Sequence, residues 1–259
     1  MTVAQLRKVA EILYRESAIT LSDSKQQMAS TRLRKRLAAT GCEGYDEYIR
    51  LVESDAAERQ TFVDQMTTNE TRFHREPAHY GVFAELLKRW RRPVDVWCGA
   101  ASTGQEPYQL AMTMREALAS DSFRRSRVLA TDLDRQVLKV CRKGEYPESA
   151  VAALPSGMAS RHFVRTPEGA FSVAPEVRKV VTFARLNLVR DWPMKGPFDV
   201  IFLRNVMIYF DQETRARLVQ RLRGMLRTGG VLFISHAETI GSQKKGLKMI
   251  RPSAYERVE

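Results

Sequence analysis

The chain of 259 residues contains no run of about eighteen apolar residues, so no transmembrane span is expected. Met1 to Ala10 alternates polar and apolar residues without the apolar core of a secretory signal, so a cytoplasmic location is expected. Cysteine is scarce. Cys42, Cys98 and Cys141 are scattered and odd in number, which argues against a disulfide framework. Neither they nor the four histidines fall at metal-ligand spacing, so no metal is expected. A Gly-x-Gly-x-x-Gly dinucleotide fingerprint and the Gly-Lys-Ser/Thr of a phosphate-binding loop are both missing. There is no internal repeat or low-complexity tract. Acidic residues are outnumbered, 30 Asp and Glu against 42 Lys and Arg, for a net charge of +12 and a pI near 9.9. Such a charge favours nucleic acid, an anionic membrane or an acidic protein surface as partner, without choosing among them.

Apolar content of 44% is enough for a real core, and the length suits one large domain with a small one. Roughly the first 65 residues read as helical. Val3, Leu6, Ala10 and Leu13 recur at helical spacing, Ser22 and Asp23 are placed to cap a second helix, and Tyr45, Tyr48, Ile49 and Val52 mark a third. After the polar stretch Thr67 to Arg75, Pro77 opens a helix running to Trp90.

Strands then alternate with helices. Val94 to Cys98 is followed by a helix from Gln105 to Leu118, and Arg127 to Ala130 by a helix from Asp134 to Arg142. Phe198 to Leu203 is a buried strand. A helix from Gln212 to Leu226, a break at Gly229-Gly230 and a strand from Val231 to Ser235 complete the series. This alternation predicts an α/β fold with a mostly parallel sheet covered on both faces. Between Lys143 and Asn187 it fails, and Phe163 to Arg165 with Phe171 to Val173 predict an inserted β-hairpin. Leu247 to Ile250 and Tyr255 to Val258 suggest a terminal hairpin. The expected domains are 1–66, helical and basic; 67–80, a linker; and 81–259, with the insert at about 145–182.

Two places look chemical. The loop Gly99 to Gly104 sits where a parallel strand ends, the usual ligand position in open α/β sheets, and its small residues permit close backbone approach. A ligand-free turn is the competing reading. Asp132 ends the next strand and can accept from two ribose hydroxyls; it or Asp134 can instead cap the following helix.

Taken together, these motifs resemble those of the CheR-type chemotaxis methyltransferases. Met66 to Glu76 is similar to the family's Thr-Asn-x-Thr-x-Phe-Phe-Arg-Glu signature, and Trp97 to Met112 to its cofactor loop. Ala130 to Asp134, Asn187-Leu188, Arg204 to Phe210 and Ser235 to Glu238 follow in family order. The departures are His74 for a usual Phe, Gln105 for a common Glu, Ala100 and Ala101 for frequent Gly and Cys, and Ser235-His236-Ala237-Glu238 for Gly-His-Ser-Glu. None removes a proposed cofactor residue.

The resemblance implies a Rossmann-like S-adenosylmethionine methyltransferase sheet with a small N-terminal helical domain and an inserted β-hairpin subdomain. It implies transfer of a methyl group to glutamate side chains of chemoreceptors, leaving S-adenosylhomocysteine. Asn69, Thr71 and Arg75 match positions at the methionine end of the cofactor, Glu106 faces its ammonium, and Asp132 takes the ribose. Ala100 falls in the cofactor loop. Asn187 with Leu188, and Arg204 with Asn205, match residues at the adenine and methyl-transfer ends. Arg204, Asn205 and Tyr209, after a central strand, are the candidates for orienting the acceptor carboxylate. A glutamate is already ionised at neutral pH, so no general base is sought.

Lys25 to Cys42 carries five basic residues and no acidic one. Arg32, Lys35 and Arg36 share a helical face, which the resemblance makes a docking stripe for acidic cytoplasmic helices of chemoreceptors. The insert's loop Arg165 to Ala170 lacks the Gly-x-Gly-Pro of relatives that bind a receptor's C-terminal pentapeptide, so independence of that tether is expected. A monomer recruited to membrane-bound receptor arrays, with no membrane insertion and no nucleic acid, completes the expectation. The alternative is a nucleic-acid methyltransferase, but Arg204 to Met207 stands where an Asp/Asn-Pro-Pro-Tyr/Phe motif would be.

Overall fold

A computed structural model describes residues 1–241 and 245–259. The chain divides into two units. One comprises Met1–Thr68 with Tyr209–Thr214; the other comprises Asn69–Ile208 with Arg215–Glu259.

The first unit is helical: α1 (Val3–Ser17), α2 (Gln26–Thr40), α3 (Tyr45–Ser54) and α4 (Ala56–Met66). Thr2 and Gln5 close a reciprocal capping box at the start of α1, satisfying two otherwise orphaned N–H groups. Leu6, Val9, Ile12 and Leu13 of α1 are buried, as are Ala29 and Leu33 of α2, Tyr48 and Val52 of α3, and Phe62 and Met66 of α4. Each large side chain withdrawn from water contributes about 1.5–3 kcal/mol. The side-chain cap expected from Ser22 ahead of α2 is not formed. A 3-10 turn, Asp23–Lys25, precedes the helix, and Ser22 Oγ instead meets Ser24 Oγ. The side chain of Asp23 lies outside the described residues.

The basic face expected on α2 is largely engaged inside the unit. Arg32 donates to the carbonyls of Met66 (3.0 Å) and Thr67 (2.8 Å), closing the end of α4. Arg36 makes a two-pronged pair with Glu58 (3.0 and 2.6 Å), and Glu58 also accepts from Tyr48 Oη. Of the expected trio, Lys35 alone is fully exposed, next to exposed Arg34. Nor is this part of the chain basic. Residues 1–68 carry ten Lys and Arg against ten Asp and Glu, so residues 69–259, with thirty-two against twenty, hold the entire +12.

The second unit is a three-layer α/β domain. After α5 (Ala78–Trp90) come β1 (Asp95–Cys98), α6 (Gln105–Ala117), α7 (Ser120–Arg125), β2 (Arg127–Asp132) and α8 (Arg135–Lys143). The insert holds β3 (Glu145–Tyr146), α9 (Glu148–Val151), α10 (Met158–His162), β4 (Phe163–Arg165), β5 (Phe171–Val173) and α11 (Pro175–Lys179). Then follow β6 (Val181–Arg185), β7 (Phe198–Phe202), α12 (Gln212–Met225), β8 (Leu226–Phe233), β9 (Leu247–Arg251) and β10 (Ala254–Arg257).

The main sheet runs β6-β2-β1-β7-β8-β10-β9. Its first five strands are parallel, and the terminal hairpin adds antiparallel β10 and β9. Two details differ from the sequence reading. β6 pairs with β2 from Val181 onward, so the last residues assigned to the insert belong to the main sheet. Gly229-Gly230 does not break the chain but lies inside β8, where the register with β7 shifts. A Cβ on Gly230 would come within 2.9 Å of the Arg227 carbonyl and 3.0 Å of the Asp199 carbonyl. The glycine pair therefore lets a bulged strand lie against its neighbour.

The insert's own sheet is three-stranded, β3-β5-β4, not a lone hairpin. Phe73, Tyr146 and Phe163 meet edge to face at centroid distances of 5.0–6.4 Å, fixing this small sheet to the loop that precedes α5.

Candidate active site

The carboxyl ends of β1, β2, β6 and β7 and the segment Asn69 to Glu76 bring most of the expected residues together. Ser102 is the junction. Its backbone N–H donates to Asp132 Oδ2 (2.8 Å), and its hydroxyl donates to the Asn69 carbonyl (2.9 Å). Asn69 Nδ2 in turn donates to Asp134 Oδ2 (2.7 Å). The two aspartates divide the roles left open by the sequence. Asp134 Oδ1 caps α8 through the N–H groups of Gln136 and Val137. Asp132 makes no such cap; its oxygens accept from the N–H groups of Ser102 and Asp134, and burial pushes its carboxyl up to about 6. The Leu133 N–H also favours the ionised carboxylate, and among its about four acceptor positions room remains for a hydroxyl donor.

Gly104, at φ 97°, owes its identity to the protein itself. A Cβ there would lie 2.6 Å from Tyr146 Oη, which donates to the Thr103 carbonyl. Leu188 reaches Gly99 from the segment after β6, and Asn187 Oδ1 accepts from the Val189 N–H, shaping that turn. Ala100 is half-buried in the loop, as is Thr71 in the segment before α5.

Arg204 and Glu106 form the centre. The Arg204 side chain is 2% exposed. It donates through Nε to Glu106 Oε2 (2.5 Å) and pairs with the same oxygen through Nη2. Nη1 donates to the Arg75 carbonyl (3.0 Å) and to His79 Nδ1 (3.2 Å), while Nη2 meets Tyr80 Oη (3.3 Å). The other Glu106 oxygen accepts from Cys98 Sγ. Burial works against the Arg204 charge, yet Glu106, Tyr80 and Glu76 together outweigh it and hold the guanidinium charged. Burial and the Arg204 charge push His79 down to about 4, so it is a neutral acceptor at pH 7. Arg204, expected to face the acceptor, is thus a buried strut between Glu106 and the Arg75 backbone. Arg75 itself is half-buried, and one of its nitrogens donates to the Glu70 carbonyl (3.0 Å).

Asn205 sits in the left-handed region (φ 59°), and its Nδ2 donates to Ser235 Oγ (2.7 Å). Ser235 Oγ donates to Glu76 Oε1 (2.7 Å). The Glu238 carboxylate collects the backbone N–H groups of Asn205, Val206, Met207 and Ser235, clamping the loops after β7 and β8 to each other. Burial raises the pKa of Glu238 while these N–H groups oppose the rise. Glu76, His79 and His236 also cluster, but Arg204 Nη1 lies 3.2 Å from His79 Nδ1 and 3.5 Å from Glu76 Oε2, a cation where a metal would have to sit. Tyr209 is not part of this constellation. It belongs to the helical unit, where its carbonyl accepts from Thr20 and its ring lies under Lys25 Nζ (5.4 Å).

Sequence reasoning gave no role to Ser102, Tyr80, His79 or Glu238. Ser102 and Glu238 stand inside motifs already singled out, so their position was the available signal.

Two family descriptions match the chain: "CheR methyltransferase, all-alpha domain" over residues 4–67 and "CheR methyltransferase, SAM binding domain" over residues 69–255. Chemotaxis protein methyltransferase 2 of Pseudomonas aeruginosa is 38% identical, covering 98% of this chain and 93% of its own. The chemotaxis protein methyltransferase of Escherichia coli K12 is 36% identical over 97% of this chain and 90% of its own. That of Salmonella typhimurium LT2 is 37% identical over 97% and 89%.

Proposed function

Because the chain belongs to the CheR methyltransferase family and is an S-adenosylmethionine-dependent methyltransferase of chemotaxis, we propose that it esterifies glutamate side chains on the cytoplasmic helices of chemoreceptors. The observation that carries this reading is the rim's frame of two hydrogen-bonded sets, Asn69, Ser102 and Asp132 in one and Glu106, Arg204 and the Arg75 backbone in the other. The frame suits the cofactor chemically. Asp132 is a buried carboxylate with an acceptor position left for a ribose hydroxyl, and Arg75 has donors beyond the one on Glu70 for an α-carboxylate. When bound, the cofactor supplies a methyl group on a sulfonium.

The protein's residues contribute position and dryness. Glu106 and Arg204 neutralise each other, leaving an acceptor carboxylate no uncompensated negative charge at this point of the rim. Glu238 fixes the turn that carries Asn205, and Asn205 is held by Ser235 at the methyl-transfer end. The acceptor glutamate is ionised at pH 7 and needs no base. Rate comes from stripping its water and aligning oxygen with methyl and sulfur. His79, neutral and bonded to Arg204, is not required to move a proton.

The receptor's acidic helices would meet the α2 face through Lys35 and Arg34, with Arg32 and Arg36 holding that face in shape. The insert's turn, closed by the Thr166 N–H on the Ala170 carbonyl (2.8 Å), lacks the Gly-x-Gly-Pro of pentapeptide binders, so the enzyme works without that tether. It acts as a cytoplasmic monomer at receptor arrays and not on nucleic acid. Among the described residues, no helix is long and apolar enough to cross a membrane. Incubation with methyl-labelled cofactor and receptor-bearing membranes should give protein-bound label that mild alkali releases. Alkali-stable label, or label on nucleic acid, would overturn the assignment.

A further inference from the structure

The second unit holds all of the chain's excess positive charge, and much of it lies at the end of the sheet away from the site. In a parallel sheet every strand start falls on one rim. Arg127 begins β2, Lys179 stands two residues before β6, and Lys195 three residues before β7. Arg91 and Arg92 precede β1, and Arg227 is the second residue of β8. Adjacent strands are about 4.8 Å apart, so these five starts span roughly 19 Å.

Cations in the last turn of a helix have an ordinary explanation in the helix dipole. That accounts for Arg124, Arg125 and Lys179, which end α7 and α11. Helix ends also occupy Arg91, the C-cap of α5 whose Nε donates to the Lys88 carbonyl, and Arg127, which donates to the Arg124 carbonyl at the end of α7; they do not account for Arg92, Lys195 or Arg227.

The acidic groups facing the rim are few. Asp199 is 1% exposed and is consumed within the fold, accepting from Arg92 (2.6 Å) and the Asp95 N–H (2.8 Å) and forming an ion pair with Arg227 (2.9 Å). Asp121 pairs with Arg125 (2.8 Å), and exposed Asp95 and Glu259 remain, Glu259 lying two residues past β10, whose Arg257 donates to the Leu226 carbonyl at the start of β8. Arg91, Arg124, Arg127, Lys179 and Lys195 are exposed, with no acidic partner within 4.0 Å among the described residues.

We propose that this amino-terminal rim is a peripheral docking surface for an anionic lipid bilayer. Phosphate headgroups require only a dense, laterally spread set of cations, which the rim supplies. Base stacking requires exposed aromatic rings, and among the described residues the one large aromatic on the exposed surface is Tyr14, in the helical unit. Strands of four to six residues separate the rim from Asp132 and Arg204 by more than the Debye length of about 8 Å at physiological salt. A protein held by this rim keeps its cofactor site facing away from the lipid.

The test is co-sedimentation of the full chain with vesicles of phosphatidylethanolamine and about one-third phosphatidylglycerol, against phosphatidylcholine vesicles, at about 0.1 M salt. Binding to the anionic vesicles alone, reversed by higher salt, is expected. The triple variant Arg91→Glu/Arg124→Glu/Lys195→Glu should lose at least on the order of a hundredfold in partitioning, since each cation removed near such a leaflet costs about fivefold and each added carboxylate is repelled. The charge-matched variant Arg7→Glu/Lys8→Glu/Arg50→Glu, on exposed positions of the helical unit, should stay within a few-fold of wild type. Both should retain S-adenosylhomocysteine affinity, which verifies folding. Failure of the wild type to sediment, equal loss in both variants, or tighter binding to duplex nucleic acid than to vesicles at the same salt would overturn the proposal.

Discussion

Replacing Arg204 by alanine tests the architecture of the rim most directly. For a residue that acts on the acceptor, one of the roles expected from the sequence, turnover would fall far more than cofactor affinity. The structure suggests otherwise. The guanidinium is 2% exposed and its partner Glu106 11%, so the substitution strands a buried carboxylate with Cys98 Sγ as its remaining donor. Breaking a buried pair from one side costs about 3–5 kcal/mol. At about 2–4 °C per kcal/mol for a domain of this size, the unfolding midpoint of the second unit should fall by on the order of 10 °C. The bond to the Arg75 carbonyl is lost as well. A charged hydrogen bond of about 1.5–3 kcal/mol that organises the cofactor segment translates into roughly a ten- to hundredfold weaker product affinity. The double variant Arg204→Met/Glu106→Gln, with no orphaned charge, should recover much of the stability but not the affinity. Differential scanning calorimetry and titration with S-adenosylhomocysteine read both quantities. Wild-type melting and wild-type product affinity in Arg204→Ala, with turnover alone collapsing, would refute the reasoning.

Asp132 gives a pH signature. Its carboxyl is pushed up to about 6, so as pH falls from 7.5 through 6 to 5 product affinity should weaken by up to about tenfold per pH unit. Its effect on stability has the opposite sign. Burial disfavours the charged form, so this group favours folding as pH drops from about 6 toward its unfolded value near 4. Affinity that stays flat between pH 5 and 7.5 would exclude Asp132 as a ligand. In the helical unit, Arg36→Glu should set a second carboxylate against Glu58 and destabilise that unit by about 1–3 kcal/mol, visible in urea unfolding. Lys35→Glu should leave stability within about 0.5 kcal/mol while lowering receptor methylation. Calorimetry with a receptor C-terminal pentapeptide should register no heat of binding, and micromolar affinity would contradict the reading of the insert.

The strands after which ligands sit were legible because buried parallel strands read as short apolar runs, as Val94 to Cys98 and Phe198 to Leu203 do. β6 was not. Val181–Arg185 is an edge strand with one buried residue, and it follows a polar insert that masks its pattern. The glycines of β8 looked like a break because the requirement for them comes from the neighbouring strand, which a local pattern cannot display. Site residues were identified by position, but their partners were not. Nothing near Arg36 in the sequence announces Glu58, 22 residues on, and nothing near Arg204 announces Glu106. Long-range ion pairs turned a docking face and a substrate ligand into braces, because a buried cation must find an anion wherever the fold supplies one.

Tyr209–Thr214 clusters with the first 68 residues although it interrupts the second unit in sequence. Thr20 bonds to the Tyr209 carbonyl and Tyr14 to Asp211, so the polypeptide passes from one unit to the other three times rather than once. A truncation beginning at Asn69 would leave Tyr209 and Asp211 stripped of these contacts just before α12. The helices are thus not an appendage that proteolysis at a single site could shed cleanly, and evolutionary exchange of the amino-terminal part would have to preserve a six-residue foothold in the middle of its neighbour.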